Sequence, residues 1–247
     1  MVNFETKNEY LSTSFEKSNE LLNQANLLRN NKNYKKAIST YLNSLLLNRN
    51  NTECYKGVGF CYKKIGKIDK AIQSFEKSAL LDNTSFETFF ELGKCLLLDE
   101  KPECAIKCFI QAIRLEPENN DAIFYLGQAH EQAGEEEMAL MVYQKLIENS
   151  PKYVNAYVRK AHLLVSAGLY RQALADLNEI IKINPNYTKI YSVMGFCLDK
   201  LGKKNDAKRY YRKFIKYQPN ASNSIEIRKR IQDIKTELPK NVSLSLV

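Results

Sequence analysis

The sequence predicts an all-α protein built from six repeats of 34 residues. One small residue returns at this interval without insertion or deletion, as Ala37, Ala71, Ala105, Ala139, Ala173 and Ala207. A fixed period of this length is typical of a repeat array. Within the repeats, apolar residues follow helical spacing, as Leu21, Ala25 and Leu28 do. No alternating strand pattern accompanies them.

When the six repeats are aligned, two further positions, or columns, indicate where the helices end. Counted from residues 18, 52, 86, 120, 154 and 188, the fifteenth position is glycine in four repeats: Gly66, Gly134, Gly168 and Gly202. The thirty-second is proline in four: Pro117, Pro151, Pro185 and Pro219. Glycine can adopt a positive φ and end a helix, whereas proline cannot continue one. Each repeat is therefore predicted to be a helix, a turn and a second helix.

The remaining columns pair small residues with large ones. The eighth position reads Ala25, Gly59, Gly93, Gly127, Ala161 and Gly195. The twenty-fourth reads Tyr41, Phe75, Phe109, Tyr143, Leu177 and Tyr211. With these columns the sequence resembles the tetratricopeptide repeat family over Ser18 to Ala221. The resemblance implies antiparallel helix pairs stacked into a right-handed α–α superhelix, or solenoid.

The predicted organisation follows this register. A polar N-terminal extension covers residues 1–17, with Ser12, Thr13 or Ser14 as the N-cap of the first helix. The six repeats are 18–51, 52–85, 86–119, 120–153, 154–187 and 188–221. Residues 222–238 form a capping helix that covers the last repeat, and residues 239–247 form a short tail.

Composition and motifs argue against catalysis. The two histidines, His130 and His162, lie in different repeats, and no glycine-rich phosphate loop follows a strand. Cys104 and Cys108 are one turn apart, but two thiols do not make a four-ligand metal site. The sequence therefore predicts no catalytic residue, no cofactor and no metal.

The other cysteines and the hydropathy suggest a compartment. Cys61, Cys95 and Cys197 share the tenth position of their repeats, which indicates small buried slots rather than redox centres. There is no run of eighteen apolar residues, and the first ten residues lack the apolar stretch of a signal peptide. We therefore expect a cytoplasmic protein.

The resemblance also implies a binding surface. In the family, positions 2, 5, 6, 9, 12 and 13 of each repeat line a concave groove. The candidate partner-binding residues on these positions are Phe60, Phe90, Lys94, Phe124, Tyr125, Gln128, Arg159, His162 and Phe196. Aromatic residues and arginine commonly anchor interfaces. The alternative is that some of these side chains pack against the neighbouring repeat.

One known ligand class is not expected. Some family members bind the acidic tails of heat-shock chaperones with a clamp of lysine, asparagine and arginine. The equivalent positions of the first three repeats carry Leu22, Asn26, Gly57, Glu87 and Glu91, and no other window completes the set. Binding of a chaperone C-terminal tail is therefore not predicted.

Charge is distributed unevenly. The sixth repeat has nine basic and two acidic residues. Its cluster comprises Lys203, Lys204, Lys208, Arg209, Arg212, Lys213 and Lys216, interleaved with Tyr210, Tyr211 and Tyr217. Such a helix could bind nucleic acid or an anionic membrane, or could be a solvated outer face. A second weak motif, Ser245-Leu246-Val247, resembles the C-terminal ligand of PDZ domains.

These observations favour a non-catalytic protein–protein interaction scaffold that binds a peptide or a partner helix in its groove. The alternative from another class is docking on nucleic acid or an anionic membrane through the basic cluster. A third is an assembly factor or adaptor subunit of a larger complex.

Overall fold

The structure is a computed structural model that describes the backbone of residues 4–237 and the side chains of residues 13–234. Within residues 4–237 the regular structure is entirely helical. The α-helices are α1 (Phe4–Asn30), α2 (Tyr34–Leu47), α3 (Thr52–Lys64), α4 (Ile68–Leu81), α5 (Phe86–Leu98), α6 (Pro102–Leu115), α7 (Asn120–Gln132), α8 (Glu136–Asn149), α9 (Val154–Ser166), α10 (Tyr170–Ile183), α11 (Tyr191–Lys200), α12 (Lys204–Tyr217) and α13 (Ser224–Glu237). A short 3₁₀ turn, Thr188–Ile190, precedes α11. The predicted all-α solenoid class is confirmed.

The chain divides into two compact units, of which the first ends at Ala139. In unit 1, α1 packs on α2, α3 on α4 and α5 on α6, each pair joined by a three-residue turn. Each second helix also contacts the first helix of the next repeat. The first helices α1, α3, α5 and α7 contact one another in sequence and form one face of this unit.

The turns within repeats use a left-handed residue. Gly66 has φ 77° and Gly134 has φ 77°, as the glycine column predicts. The same conformation occurs at Lys32, with φ 59°, and at Glu100, with φ 56°. The turn geometry is therefore kept even where the repeat lacks glycine, at a conformational cost that glycine avoids.

The small and large columns meet in the core. Phe109 is fully buried, and a β-carbon built on Gly93 would lie 2.8 Å from its ring. Gly59 and Phe75 form the equivalent contact one repeat earlier, where the distance would be 2.9 Å. A glycine at the eighth position thus lets the aromatic ring of the second helix rest against the first helix.

Small buried polar groups join the first two repeats. Ser44 Oγ donates a hydrogen bond of 2.7 Å to the carbonyl of Ser18, and the two hydroxyl oxygens are 2.9 Å apart. The thiol of Cys54 donates to Ser44 Oγ over 3.2 Å. Ser18, Ser44 and Cys54 are all fully buried. Because each polar atom has a partner, these groups avoid the cost of desolvation without compensation.

Unit 2 begins at Leu140. In it α9 packs on α10, α10 on α11, α11 on α12, and α12 on α13. Helix α13 is tied to α11 by Arg230, which donates to Asp199 over 2.6 Å and 2.9 Å. Its inward side chains Ile227 and Ile234 are buried. Helix α13 therefore covers apolar surface of α12 that would otherwise face water.

Two sequence predictions have different outcomes. Helix α1 starts at Phe4 and runs through Ser12–Ser14, so the predicted N-cap at these residues is wrong. The helix extends almost four turns before Ser18, where the first repeat begins. The buried slots predicted for Cys61, Cys95 and Cys197 are confirmed, and burial raises the pKa of each thiol to about 11.

Residues 239–247, including Ser245-Leu246-Val247, lie outside the described residues. Among the described residues, no helix combines the length and the hydropathy needed to cross a bilayer. Over the same part of the chain, no group of three or more histidine, cysteine, aspartate or glutamate side chains is arranged to hold a metal ion.

Candidate functional site

The first-helix face of unit 1 carries six of the predicted binding residues. Phe60 lies on α3, Phe90 and Lys94 lie on α5, and Phe124, Tyr125 and Gln128 lie on α7. All six are half-buried, so each side chain is in contact with both protein and solvent. Successive repeats bring them onto one side because they occupy equivalent helical positions.

An aromatic cluster joins α5 to α7 on this face. The Phe90 and Tyr125 rings meet edge to face, with centroids 5.5 Å apart, and Phe124 meets Tyr125 at 5.9 Å. Tyr125 also stacks on the buried ring of Phe109, at 5.8 Å. Phe90 and Tyr125 therefore contribute to repeat stacking, as the packing alternative anticipates, while their outer edges remain on the face.

Lys94 lies over this cluster. Its Nζ is 4.7 Å from the centroid of Phe90 and 5.5 Å from that of Tyr125. It also donates to Glu91 over 2.8 Å, and Lys63 donates to the same carboxylate over 2.5 Å. The three side chains are largely buried, which makes their charge–charge interactions stronger than on an open surface.

The electrostatics of this triad follow from its geometry. Burial raises the pKa of Glu91, but the hydrogen bonds from Lys63 and Lys94 outweigh this effect and the net shift is downward. Glu91 is therefore ionised near neutral pH and compensates one of the two lysine charges. The triad Lys63–Glu91–Lys94 keeps one net positive charge beside the aromatic cluster.

Phe60 has its own surroundings. The guanidinium of Arg29 lies 5.5 Å from its ring centroid and the Lys64 ammonium 5.2 Å from it. Nearby, Asn26 accepts a hydrogen bond of 2.6 Å from the buried hydroxyl of Tyr41. The ring of Tyr41 fills the space where a side chain at residue 57 would start, since a β-carbon on Gly57 would overlap that ring. The polar and charged groups around Phe60 therefore already have partners within unit 1.

The remaining predicted residues belong to unit 2. His162 on α9 is exposed, and Arg159 one turn earlier is half-buried. Phe196 on α11 is 39% exposed, meets Tyr170 edge to face at 6.0 Å and has Lys200 Nζ 5.4 Å from its ring. His162 and Phe196 line one cleft of about 300 Å³, whose far wall is Glu226 and Ile227 of α13.

The structure places the seven residues of the predicted basic cluster in three different surroundings. Lys204 donates over 2.6 Å to the largely buried carboxylate of Asp199 and is therefore paired with an acidic group inside unit 2. Lys208, Arg209, Arg212, Lys213 and Lys216 line a shallow depression on α12 instead. Lys203 precedes the helix as an exposed residue. Whether a residue of the cluster lies on the outer side of α12 therefore depends on its position around the helix rather than on its nearness in sequence.

Sequence reasoning missed the internal partners of the site. The comparison with the chaperone-tail clamp gives Glu91 no role, yet its carboxylate binds both Lys63 and Lys94. Tyr170 comes from the second helix of the fifth repeat and still reaches Phe196. The pairing of Lys63 with Glu91 could have been predicted, since these opposite charges lie 28 residues apart on the first helices of neighbouring repeats.

Comparison with known families identifies the fold family. Models described as tetratricopeptide repeat match residues 21–51, 54–85, 90–154, 154–187 and 194–221. The chain belongs to the tetratricopeptide repeat family. The matches span the half-buried aromatic cluster, the Glu91 triad and helix α12, so both units contain tetratricopeptide repeats.

Solved tetratricopeptide repeat structures resemble this chain. A crystal structure of MamA is 27% identical, covering 67% of this chain and 96% of its own, with a TM-score of 0.63. YrrB, described as a TPR protein with an unusual peptide-binding site, is 18% identical over 76% of this chain and 97% of its own, with a TM-score of 0.63. The C-terminal part of a TPR repeat-containing protein from Cytophaga hutchinsonii is 18% identical over 88% and 96%, with a TM-score of 0.72. A search of curated protein sequences gives no significant match.

Proposed function

We propose that this tetratricopeptide repeat protein is an interaction scaffold whose first-helix face in unit 1 binds a peptide or a helix of a partner protein. The observation that carries the proposal is the aromatic cluster of Phe90, Phe124 and Tyr125, with Lys94 above it. Aromatic rings that are rigidly held and only half-buried are efficient anchors, because little side-chain entropy is lost when a partner covers them.

The neighbouring charges suggest what the partner presents. Lys94 and Lys63 share one carboxylate, so the site has one cation in excess. An apolar side chain of the partner would cover Phe90 and Phe124, and an acidic group would approach Lys94. Gln128, on the same face of unit 1, offers an amide for hydrogen bonds to the partner's backbone. In unit 2, Arg159, His162 and Phe196 form a separate candidate contact.

The comparison with YrrB supports this assignment only through the shared fold, since the identity is low. The physical support is the site itself. A structural role alone would be served by fully buried rings, as it is at Phe109 and Phe75. Phe90, Phe124 and Tyr125 instead keep part of their surface in water, which costs about 25 cal/mol for each Å² of apolar area left exposed.

The experiment compares two variants in affinity capture from native extract. Phe124→Ala with Tyr125→Leu removes most of the exposed aromatic surface but leaves an apolar group against Phe109. The matched control, Leu46→Ala with Leu80→Ala, removes similar apolar area from α2 and α4, where these leucines are 76% and 78% exposed. A partner retained by the wild type and the control but lost by the first variant supports the proposal. Equal retention by all three proteins contradicts it.

A further inference from the structure

Helix α12 presents a strongly basic outer surface. Its inward side chains Ala207, Tyr211 and Phe214 are buried in unit 2. The opposite side forms a depression of about 480 Å³ whose lining consists of Asn205, Lys208, Arg209, Arg212, Lys213 and Lys216. We call the five cations of this lining the basic face. No carboxylate belongs to that lining within the part of the chain that has described side chains.

Aromatic rings, rather than acids, support several of these cations. Lys213 lies 5.5 Å from the ring centroid of Tyr191 and 5.2 Å from that of Tyr210. Lys216 lies 5.7 Å from the Tyr217 ring. A ring orients a cation without cancelling its charge. Arg209 has an exposed contact of 3.8 Å with Asp206, too long and too solvated to neutralise it effectively.

The spacing of the cations suits a linear polyanion. Lys208, Arg212 and Lys216 succeed one another every four residues, which separates them by about 6 Å along the helix axis. The basic face thus extends over about 12 Å, long enough to contact several successive phosphates of one strand, which follow one another by about 3.4 Å along the axis when the bases are stacked as in a duplex.

The surface differs from that of a membrane-binding helix. Helices that insert into a bilayer bury an apolar side in it, whereas the apolar side of α12 is already covered by its own unit. Tyr217 is instead 52% exposed beside Lys216, and Tyr210 is half-buried beside Lys213. Flat rings interleaved with cations are the elements that bind unpaired bases and their phosphates together.

We propose that the basic face of α12 binds single-stranded nucleic acid, with the cations on the phosphates and Tyr217 stacked on a base. This surface shares no residue with the first-helix face of unit 1, so the proposal stands independently of peptide binding by unit 1. The cations lie together because they occupy the side of α12 opposite the buried Ala207, Tyr211 and Phe214.

The test is fluorescence anisotropy with a labelled oligouridylate of about 20 nucleotides, a length that exceeds the site. An oligothymidylate of equal length distinguishes RNA from DNA. The variant carries Arg212→Gln, Lys213→Gln and Lys216→Gln. The matched control carries Lys35→Gln, Lys36→Gln and Lys77→Gln, exposed lysines of unit 1, and therefore loses the same net charge.

The expected result is salt-sensitive binding that weakens by about tenfold or more in the α12 variant and by less than about twofold in the control. The slope of log affinity against log salt should become shallower by about 2, which corresponds to three lost phosphate contacts. Equal weakening in both variants, or no binding by the wild type, overturns the proposal. So does binding of phosphatidylserine vesicles, rather than oligonucleotide, that disappears in the α12 variant.

A second variant tests the stacking. Tyr217→Leu keeps an apolar contact with Tyr191 but removes the aromatic ring. It should weaken oligouridylate binding by about fivefold or more and leave the binding of inorganic polyphosphate unchanged. Equal losses for both ligands, or none for either, would contradict a base stacked on Tyr217.

Discussion

Arg230 of α13 makes a two-point ion pair with Asp199 of α11, with distances of 2.6 Å and 2.9 Å. Asp199 also accepts from Lys204 over 2.6 Å. The Asp199 side chain is only 10% exposed, so its carboxylate depends on these two cations for hydrogen bonds that water cannot fully replace. The pair is a specific link between the last complete repeat and the helix that covers it.

Loss of this link should loosen α13. We expect Arg230→Gln to lower the free energy of unfolding of unit 2 by about 1 to 3 kcal/mol, the typical value of a charge-assisted hydrogen bond. Hydrogen exchange of α13 amides should accelerate more than that of α9. Arg228→Gln, an exposed neighbour on the same helix, is the control and should change neither quantity. Equal exchange of α13 in wild type and Arg230→Gln would show that the ion pair does not retain the helix.

The same site predicts a pH dependence. The hydrogen bonds from Arg230, opposed by partial burial and aided by Lys204, lower the pKa of Asp199 from 3.8 to about 2. A carboxyl group whose pKa is lower in the folded than in the unfolded state stabilises the fold at any pH above its unfolded-state pKa. This stabilisation disappears as the pH falls through the folded-state pKa. The stability difference between wild type and Asp199→Asn should therefore be full above about pH 4 and shrink towards pH 2. Urea unfolding at several pH values measures it, and a constant difference would contradict the assignment.

The close approach of Gly93 and Phe109 predicts a steric cost. A β-carbon at residue 93 would lie 2.8 Å from a buried ring that is held by Phe90 and Tyr125. Gly93→Ala should therefore destabilise unit 1 by about 1 to 3 kcal/mol, as overpacking typically does. In a Phe109→Leu background the same substitution should cost less, because the smaller side chain leaves room. Additive effects in thermal unfolding would refute a direct clash.

The left-handed turn at Glu100 predicts a substitution that stabilises unit 1. Its φ of 56° disfavours a residue with a β-carbon, and the equivalent positions of four other repeats hold glycine. Glu100→Gly should raise the free energy of unfolding of unit 1 by about 1 kcal/mol. Gly66→Ala, with φ 77° and open space around it, is the reciprocal change and should lower stability by a similar amount. Destabilisation by both substitutions would show that the turn conformation is not the deciding factor.

Much of the fold could be predicted from sequence because the repeat makes one local pattern recur. Gly66 adopts the left-handed conformation of a turn, and Pro102 lies at the start of a helix, where proline is tolerated. Phe109 fills the space left by the small residue Gly93 on the preceding helix. The start of α1 could not be predicted in this way, because it lies before the first repeat and the polar residues of this stretch can serve equally as N-caps or as helix surface.

The site was less predictable than the fold. Family positions place Phe90, Lys94 and Tyr125 on one face, but not the pairing of Lys94 with Glu91 or the stacking of Tyr125 on Phe109. These contacts depend on side-chain rotamers and on the offset between neighbouring repeats. The Asp199–Arg230 pair joins residues 31 positions apart, one of them beyond the last complete repeat, so no column pointed to it.

The measurement that most directly tests the central claim is site-specific photocrosslinking to the captured partner. A p-benzoylphenylalanine placed at Phe124 would report contacts of the first-helix face of unit 1, and the same group at the exposed Leu80 of α4 would report contacts elsewhere. We expect crosslinks from residue 124, reduced by an excess of unlabelled partner peptide, and none from residue 80. Crosslinks from residue 80 alone would contradict the proposal that the aromatic face of unit 1 is the binding site.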